Sequence, residues 1–410
     1  MADVRSVAVG FWVGTGSRDE TGPLSGASHF LEHLLFKGTD TRSARSIAEA
    51  VDEVGGDINA FTTKEYTAFY LRVLDDALET GLDILSDIMW RPAFRPDEVE
   101  AERQVILEEI LMHNDEPADL VHEVLAEALW PGHPLGRDVL GTEESIEGLT
   151  RDDIASFHEA HYRPANIVLA AAGALAPEVL VAGIEERLGS SGLSSRGAGG
   201  AGGAGAVAGG VVAGRGGPDA PVRPLSVLTR ATEQAHIAVG FRAFDRDDAD
   251  RYALAVVDHV LGGGMSSRLF QEIREERGLA YSVFSYRSLF EGTGALAVYA
   301  GTAPARTQEV LGLINDEIDR MVEHGVTERE LAMTKTHLRG SLALALEDSG
   351  ARMSRLGRSQ LVHGAVPPLD QVDDLLNAVT LDDVERVVAR VLAGPRVVAA
   401  VGPFGEEDFS

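Results

Sequence analysis

The chain has 410 residues, no cysteine, and 36 Lys and Arg against 65 Asp and Glu, a formal charge of −29. That excludes a disulfide framework, a thiolate metal site and a cysteine nucleophile, and it disfavours nucleic acid and anionic membranes as partners. The length predicts two domains; with no bilayer-spanning apolar run and no signal-peptide pattern at the start, a cytoplasmic protein is the default expectation.

The first informative element is LSGASHFLEHLLFKGT, from Leu24. Ser25 or Ser28 can cap a helix there and Gly38 can end it. His29 and His33 are four apart, so both imidazoles leave one helix face and can share a tetrahedral metal. Glu32 precedes His33 and lies close enough to act on water at that metal without ligating it. A pair of ordinary core histidines is the alternative. It would strand Glu32 as an unpartnered carboxylate in an apolar helix, a costly arrangement that a metal removes. Two His ligands and no Cys call for a carboxylate as the third ligand, leaving a fourth position for water.

Next, EAVDEVGGDINAF from Glu49 reads as a helix closing on Gly and then an alternating strand, followed by a strand over 66–73 (YTAFYLRV). The segment from Pro96, PDEVEAERQVILEEILMH, is a helix with acidic residues in its first turn. On it Glu102 and Glu109 share a face, whereas Glu108 lies about 100° away and faces solvent. His113, His122, His133, His158 and His161 form no comparable arrangement and read as structural or surface residues. Residues 189–223, nearly all Gly, Ala and Ser, cannot bury enough surface to offset their ordering entropy and predict a flexible linker.

The halves on either side, 1–188 and 224–410, look alike. The segment from Glu144 is echoed from Asp373, each with a Thr (Thr150, Thr380) before an acidic pair, the mark of a capped helix start, and then a strand. QEIREERGLAYSV from Gln271 echoes the segment from Glu49, and ALAVYA over 295–300 is another strand. The expected fold class is α+β: two similar halves, each a mainly antiparallel sheet covered by helices, joined by the Gly/Ala-rich linker.

Taken together, HFLEHLLFKGT, GSRDE, INAFTTKEYT, ERQVILEE, the HPLGRDVLGT region and GGGMSSRLFQEIREERGLAYS resemble the pitrilysin or insulinase-like zinc peptidases, which carry an inverted HxxEH motif. The likeness runs over nearly the whole chain except the linker. It is greatest to the short-chain branch that contains the mitochondrial processing peptidase β subunit and bacterial relatives. The resemblance implies one zinc per chain, held by His29, His33 and Glu109, the last standing 76 residues after His33. It implies Glu32 as general base and Glu102 as a carboxylate supporting the site. Asn59, Ala60 and Phe61 would form an edge strand that substrate backbone extends, although an ordinary sheet strand is the plainer reading. Arg274 and Tyr281 would hold substrate, where a surface Arg and a core Tyr is the alternative.

At the second-half counterparts of the motif stand Ala255, Asp258 and His259, with Thr334 and Ser341 opposite Glu102 and Glu109. The second half is therefore expected to hold substrate and not zinc. The expected activity is a zinc metalloendopeptidase acting on peptides or unfolded segments, with basic ones favoured by the chain's charge; that charge equally serves solubility. The alternative function is a non-catalytic peptide-binding or assembly subunit. The resemblance further implies pairing with a second chain, as a homodimer or with a related chain. It also implies a strand ahead of SVAVGFWVG, so either an earlier natural start or a sheet short of one edge is expected.

Overall fold

The computed structural model describes residues 1, 4–190 and 215–409. Most of the expected linker, residues 191–214, lies outside the described residues. The first half runs β1 (Ser6–Val13), α1 (Ala27–Leu34), α2 (Ala44–Glu53), β2 (Asp57–Thr62), β3 (Thr67–Leu74), α3 (Leu78–Trp90), α4 (Pro96–Asn114) and α5 (Pro117–Leu129). It closes with α6 (Glu143–Gly148), α7 (Arg151–His161), β4 (Ile167–Gly173) and α8 (Pro177–Ser190). The second runs β5 (Leu225–Thr229), β6 (Ala235–Ala243), α9 (Arg251–Gly262), a π-helical turn (Phe270–Glu276), β7 (Ala280–Phe290) and β8 (Thr293–Thr302). It ends with α10 (Thr307–His324), α11 (Glu328–Ala345), α12 (Ser349–His363), α13 (Leu369–Ala378), α14 (Leu381–Val391) and β9 (Val397–Gly402).

The α+β expectation holds. One sheet has the order β2-β3-β1-β4 and is antiparallel throughout. The other has the order β5-β9-β6-β8-β7, antiparallel except for the β5–β9 pair. In both, the strand after a Gly-ended helix forms one edge: β2 follows Gly55 (φ 59°) and β7 follows Gly278 (φ 61°). Thr150 and Thr380 cap α7 and α14 through their side chains, as their acidic successors suggested.

The chain folds into two compact units, and these do not follow the halves throughout. Among the described residues, unit one comprises those of 1–110, 138–190 and 343–367, and unit two comprises the rest. Thus α5, from the first half, belongs with the second sheet, and α12, from the second half, with the first. The cause is visible in the central strands, which read as near-continuous apolar runs and must be covered on both faces. On β1, Val7, Val9, Phe11 and Val13 pack with α1 and α3 residues, while Ala8 and Trp12 pack against Met353 and Leu361 of α12. On β6, Ile237, Val239 and Phe241 pack with α9, α10 and α14, and Ala238 sits under Val121, Leu125 and Leu129 of α5. The boundary at the linker, drawn from sequence likeness, could not register this exchange.

Candidate metal centre and peptidase site

Helix α1 has only eight residues. Its N-cap is Gly26, in left-handed conformation (φ 88°) and without a side-chain cap, so neither Ser25 nor Ser28 plays the expected role. The cap comes from Glu20, whose Oε1 accepts from the Ser28 amide at 2.7 Å and Oε2 from the Gly26 amide at 2.8 Å. The helix stops at Leu34, and Gly38 (φ 122°) sits in the turn beyond it.

His29 and His33 stand side by side one turn apart, ring centroids 4.6 Å from each other. Helix α4 brings Glu109 to them: its Oε2 is 3.7 Å from His29 Nε2 and 3.5 Å from His33 Nε2. Among the described residues, this is the group of three ligand-type side chains whose donor atoms lie within 4.8 Å of one another. The separations exceed good hydrogen-bond lengths. They match the ~3.3 Å between neighbouring ligands of a tetrahedral zinc with bonds of ~2.0–2.1 Å. Two neutral-capable imidazoles and a carboxylate also have the right chemistry. Burial, aided by the neighbouring His33, pushes His29 down to about 4, so it is unprotonated and free to ligate at neutral pH. The Glu109 side chain is 42% exposed, which leaves the cluster open on one side.

The surroundings treat the two histidines differently. His33 Nδ1 is 3.1 Å from Glu102 Oε2, leaving Nε2 to face Glu109. Glu102 is buried, and its other oxygen meets Lys37 Nζ at 2.6 Å. Burial alone would raise the Glu102 carboxyl, but the bonds from His33 and Lys37 outweigh it and hold the group below its ordinary range. Burial likewise pulls His33 down, yet the Glu102 bond and the charges of Glu109, Glu102 and Glu32 raise it overall. His29 Nδ1 is buried with no hydrogen-bond partner among the described residues.

Glu32, half-buried on the same helix, is raised above the ordinary carboxylate value, chiefly by burial, while Thr62 at the end of β2 opposes the shift. Such a shift moves a carboxylate toward the pKa of a working general base. Glu108 is exposed, as the helical geometry required. Asn59, Ala60 and Phe61 lie on β2, the edge strand, where Asn59 Oδ1 accepts from the Ala60 amide at 2.8 Å. Phe61 turns to the sheet face that α12 covers, near Tyr66 and Tyr70.

Arg274 and Tyr281 belong to the second unit. The Arg274 guanidinium stacks between Phe270, 4.7 Å from its ring, and Tyr281, 5.1 Å from its ring. Tyr281 is 83% exposed, which removes the core-tyrosine alternative. In that unit the counterpart of Glu32, Asp258, accepts from Ser285 at 2.7 Å and pairs with Arg287 at 3.4 Å. His259 and His337 stack at 4.4 Å over a recess of about 520 Å³ that Thr334 also lines.

Sequence reasoning missed three contributors: Glu20, Lys37 and Thr62. Lys37 was within reach of it, being four residues beyond His33 in the same segment, although the helix itself stops at Leu34. Glu20, six and eight residues before the amides it accepts from, reaches them through the fold of an irregular loop, and Thr62 reaches the site through tertiary folding.

Residues 2–143 match the profile of the insulinase family (peptidase family M16), and residues 148–338 that of the peptidase M16 inactive domain. The chain is 42% identical, over its full length and 88% of the relative, to an uncharacterised zinc protease of Streptomyces coelicolor. It is 39% identical to one of Bacillus subtilis, covering 98% of this chain and 94% of that one. The fold is shared with a protease from Helicobacter pylori at TM-score 0.84 and 22% identity, covering 97% of this chain and 94% of that one. With two-domain likeness and close relatives along its whole length, the chain belongs to the insulinase family, peptidase family M16.

Proposed function

We propose that the chain is a zinc metalloendopeptidase that hydrolyses peptides or unfolded segments, with a preference for basic ones. The observation that carries the reading is the convergence of His29, His33 and Glu109 with Glu32 on the same short helix. A zinc ion held by those three side chains would supply Lewis acidity, bringing bound water toward a pKa of ~7 and polarising the scissile carbonyl. Glu32 takes the proton of the attacking water and passes it to the leaving amine. Glu102 fixes the His33 ring and is a positioning residue, not one that touches substrate. The open edge of β2 pairs with substrate backbone once Asn59 Oδ1 leaves the Ala60 amide. Arg274 and Tyr281 hold substrate, and two chains pair, either as a homodimer or with a related chain. The net charge of −29 supports the preference for basic peptides.

The test is a basic fluorogenic peptide library, with and without chelator, run beside Glu32→Gln. Cleavage is expected to need one zinc per chain and to fall by orders of magnitude in the variant. Cleavage by Glu32→Gln at the wild-type rate would sink the mechanism, and equal rates on acidic and basic peptides would remove the preference. A second reading, a non-catalytic peptide-binding or assembly subunit, draws on the inactive-domain match of residues 148–338. Wild-type protein that binds no zinc would favour it.

A further inference from the structure

His33 has a carboxylate behind it; His29 does not. His29 Nδ1 is buried without a hydrogen-bond partner among the described residues, so this ring is aimed by packing and by the backbone that carries it. That backbone is the first turn of α1, in which His29 is the third residue. The first turn of a helix has amides that the helix itself cannot satisfy. Here the N-cap position cannot help. Gly26 has φ 88°, and a Cβ there would lie 2.6 Å from both Ile146 Cδ1 and Leu140 O. No capping side chain fits, and the amides of Gly26 and Ser28 are taken by the two oxygens of Glu20, which is 4% exposed.

Glu20 is itself held. Its loop lies along the turn between β2 and β3: the Ser17 amide donates to Thr63 O at 3.2 Å and the Arg18 amide to Lys64 O at 2.8 Å. The Arg18 guanidinium forms a buried pair with Glu65 at 2.5 Å. One end of this loop therefore grips the hairpin that contains the edge strand β2, and the other grips the start of α1.

We propose that Glu20 is a positioning residue for the metal centre: by holding the first turn of α1 it sets His29, and through its loop it couples the β2–β3 hairpin to the metal helix. The inference rests on the zinc reading above. It assigns to Glu20, acting through the backbone, what Glu102 does for His33 through a side chain. Loss of such support behind a metal ligand typically costs 10–100-fold in metal affinity.

The experiment compares wild type, Glu20→Gln, Glu20→Asp and Ile184→Val, a destabilising core substitution on α8, the helix that packs on α3. Zinc affinity is measured by competition with a chromophoric chelator, apo-protein stability by thermal melting, and kcat and KM on a basic peptide the wild type cleaves. Glu20→Gln is expected to raise the zinc Kd at least tenfold and lower kcat with little change in KM. Ile184→Val should lower the melting temperature while leaving zinc Kd within twofold. Glu20→Asp keeps the charge but is too short to span both amides, so its zinc Kd should fall between those of wild type and Glu20→Gln; if Glu20→Gln does not fold, Glu20→Asp is held to a zinc Kd raised more than twofold. A Glu20→Gln zinc Kd within twofold of wild type overturns the proposal, as does equal weakening by Ile184→Val. Wild type that binds no zinc overturns this proposal and the zinc reading together, whereas unchanged zinc binding in the Glu20 variants overturns this one alone.

Discussion

Replacing Glu102 by Gln tests the support of His33 with almost no change of shape. In the native site one carboxylate oxygen faces His33 Nδ1 at 3.1 Å and the other faces Lys37 Nζ at 2.6 Å, with the side chain 5% exposed. The carboxyl is held below its ordinary range, so it is charged at neutral pH and the substitution removes a full charge. An amide cannot satisfy both neighbours. If its oxygen accepts from His33, its NH2 opposes the ammonium of Lys37; if it flips, His33 loses its acceptor. The Lys37 side chain is 34% exposed and can swing toward water, so the first arrangement prevails and the fold persists. The His33 partner then becomes neutral, and the ring is a weaker base at Nε2. The zinc Kd should rise 10–100-fold, about 1.4–2.7 kcal/mol, when measured by chelator competition at pH 7.5. Adding Lys37→Met should restore thermal stability without restoring zinc affinity, because it removes the clash but not the lost charge. A Glu102→Gln zinc Kd within twofold of wild type would refute this account of the site.

Four further outcomes are expected. Saturating zinc should raise the thermal midpoint of the metal-free wild type by mass action, and Glu109→Gln should lose at least half of that shift in a paired melting experiment. Glu330, paired with Arg268 at 2.7 Å, has its carboxyl pushed down to about 2 because Arg268 and Thr327 outweigh its burial. A depressed carboxyl stabilises the fold above its unfolded value and loses that contribution as pH falls from about 4.5 toward 2; Glu330→Gln should therefore cost about 1–3 kcal/mol at pH 7 and flatten acid unfolding in that window, as read by circular dichroism. Gly357→Ala places a Cβ 2.4 Å from the Trp12 ring and should destabilise the first unit by about 1–3 kcal/mol in urea, since α12 packs on its sheet. Arg274→Ala should raise KM for a basic peptide several-fold with little loss of stability, because stacking on a half-buried Phe270 and an exposed Tyr281 is worth only ~0.5–1 kcal/mol.

Local features of this protein were readable from local sequence. The four-residue spacing puts His29 and His33 on one face of any helix, whatever surrounds it. The seven-residue spacing does the same for Glu102 and Glu109 on α4, and leaves Glu108 exposed. Thr150 and Thr380 cap their helices because the partner amides lie three residues away. A glycine after a helix allows the positive φ from which β2 and β7 start. In each case cause and effect are separated by one or two turns of chain, so short-range geometry suffices.

Where no regular element fixes the spacing between partners, folding made the choice. Ser25 and Ser28 were the natural caps for α1, but Gly26 takes a left-handed conformation under Ile146 and Leu140, and Glu20 supplies the acceptors. Thr62 comes to Glu32 because β2 is the edge strand beside α1, which no periodicity in either segment announces. The likeness of the halves suggested units that follow the chain, yet α5 and α12 change sides, since each central strand is apolar on both faces and needs a cover that its own half does not provide. Sequence alone determined which side chains could bind a metal and which helices would present them. Only the packing of the sheets decided what aims those side chains, because burial and hydrogen bonding act across space and not along the chain.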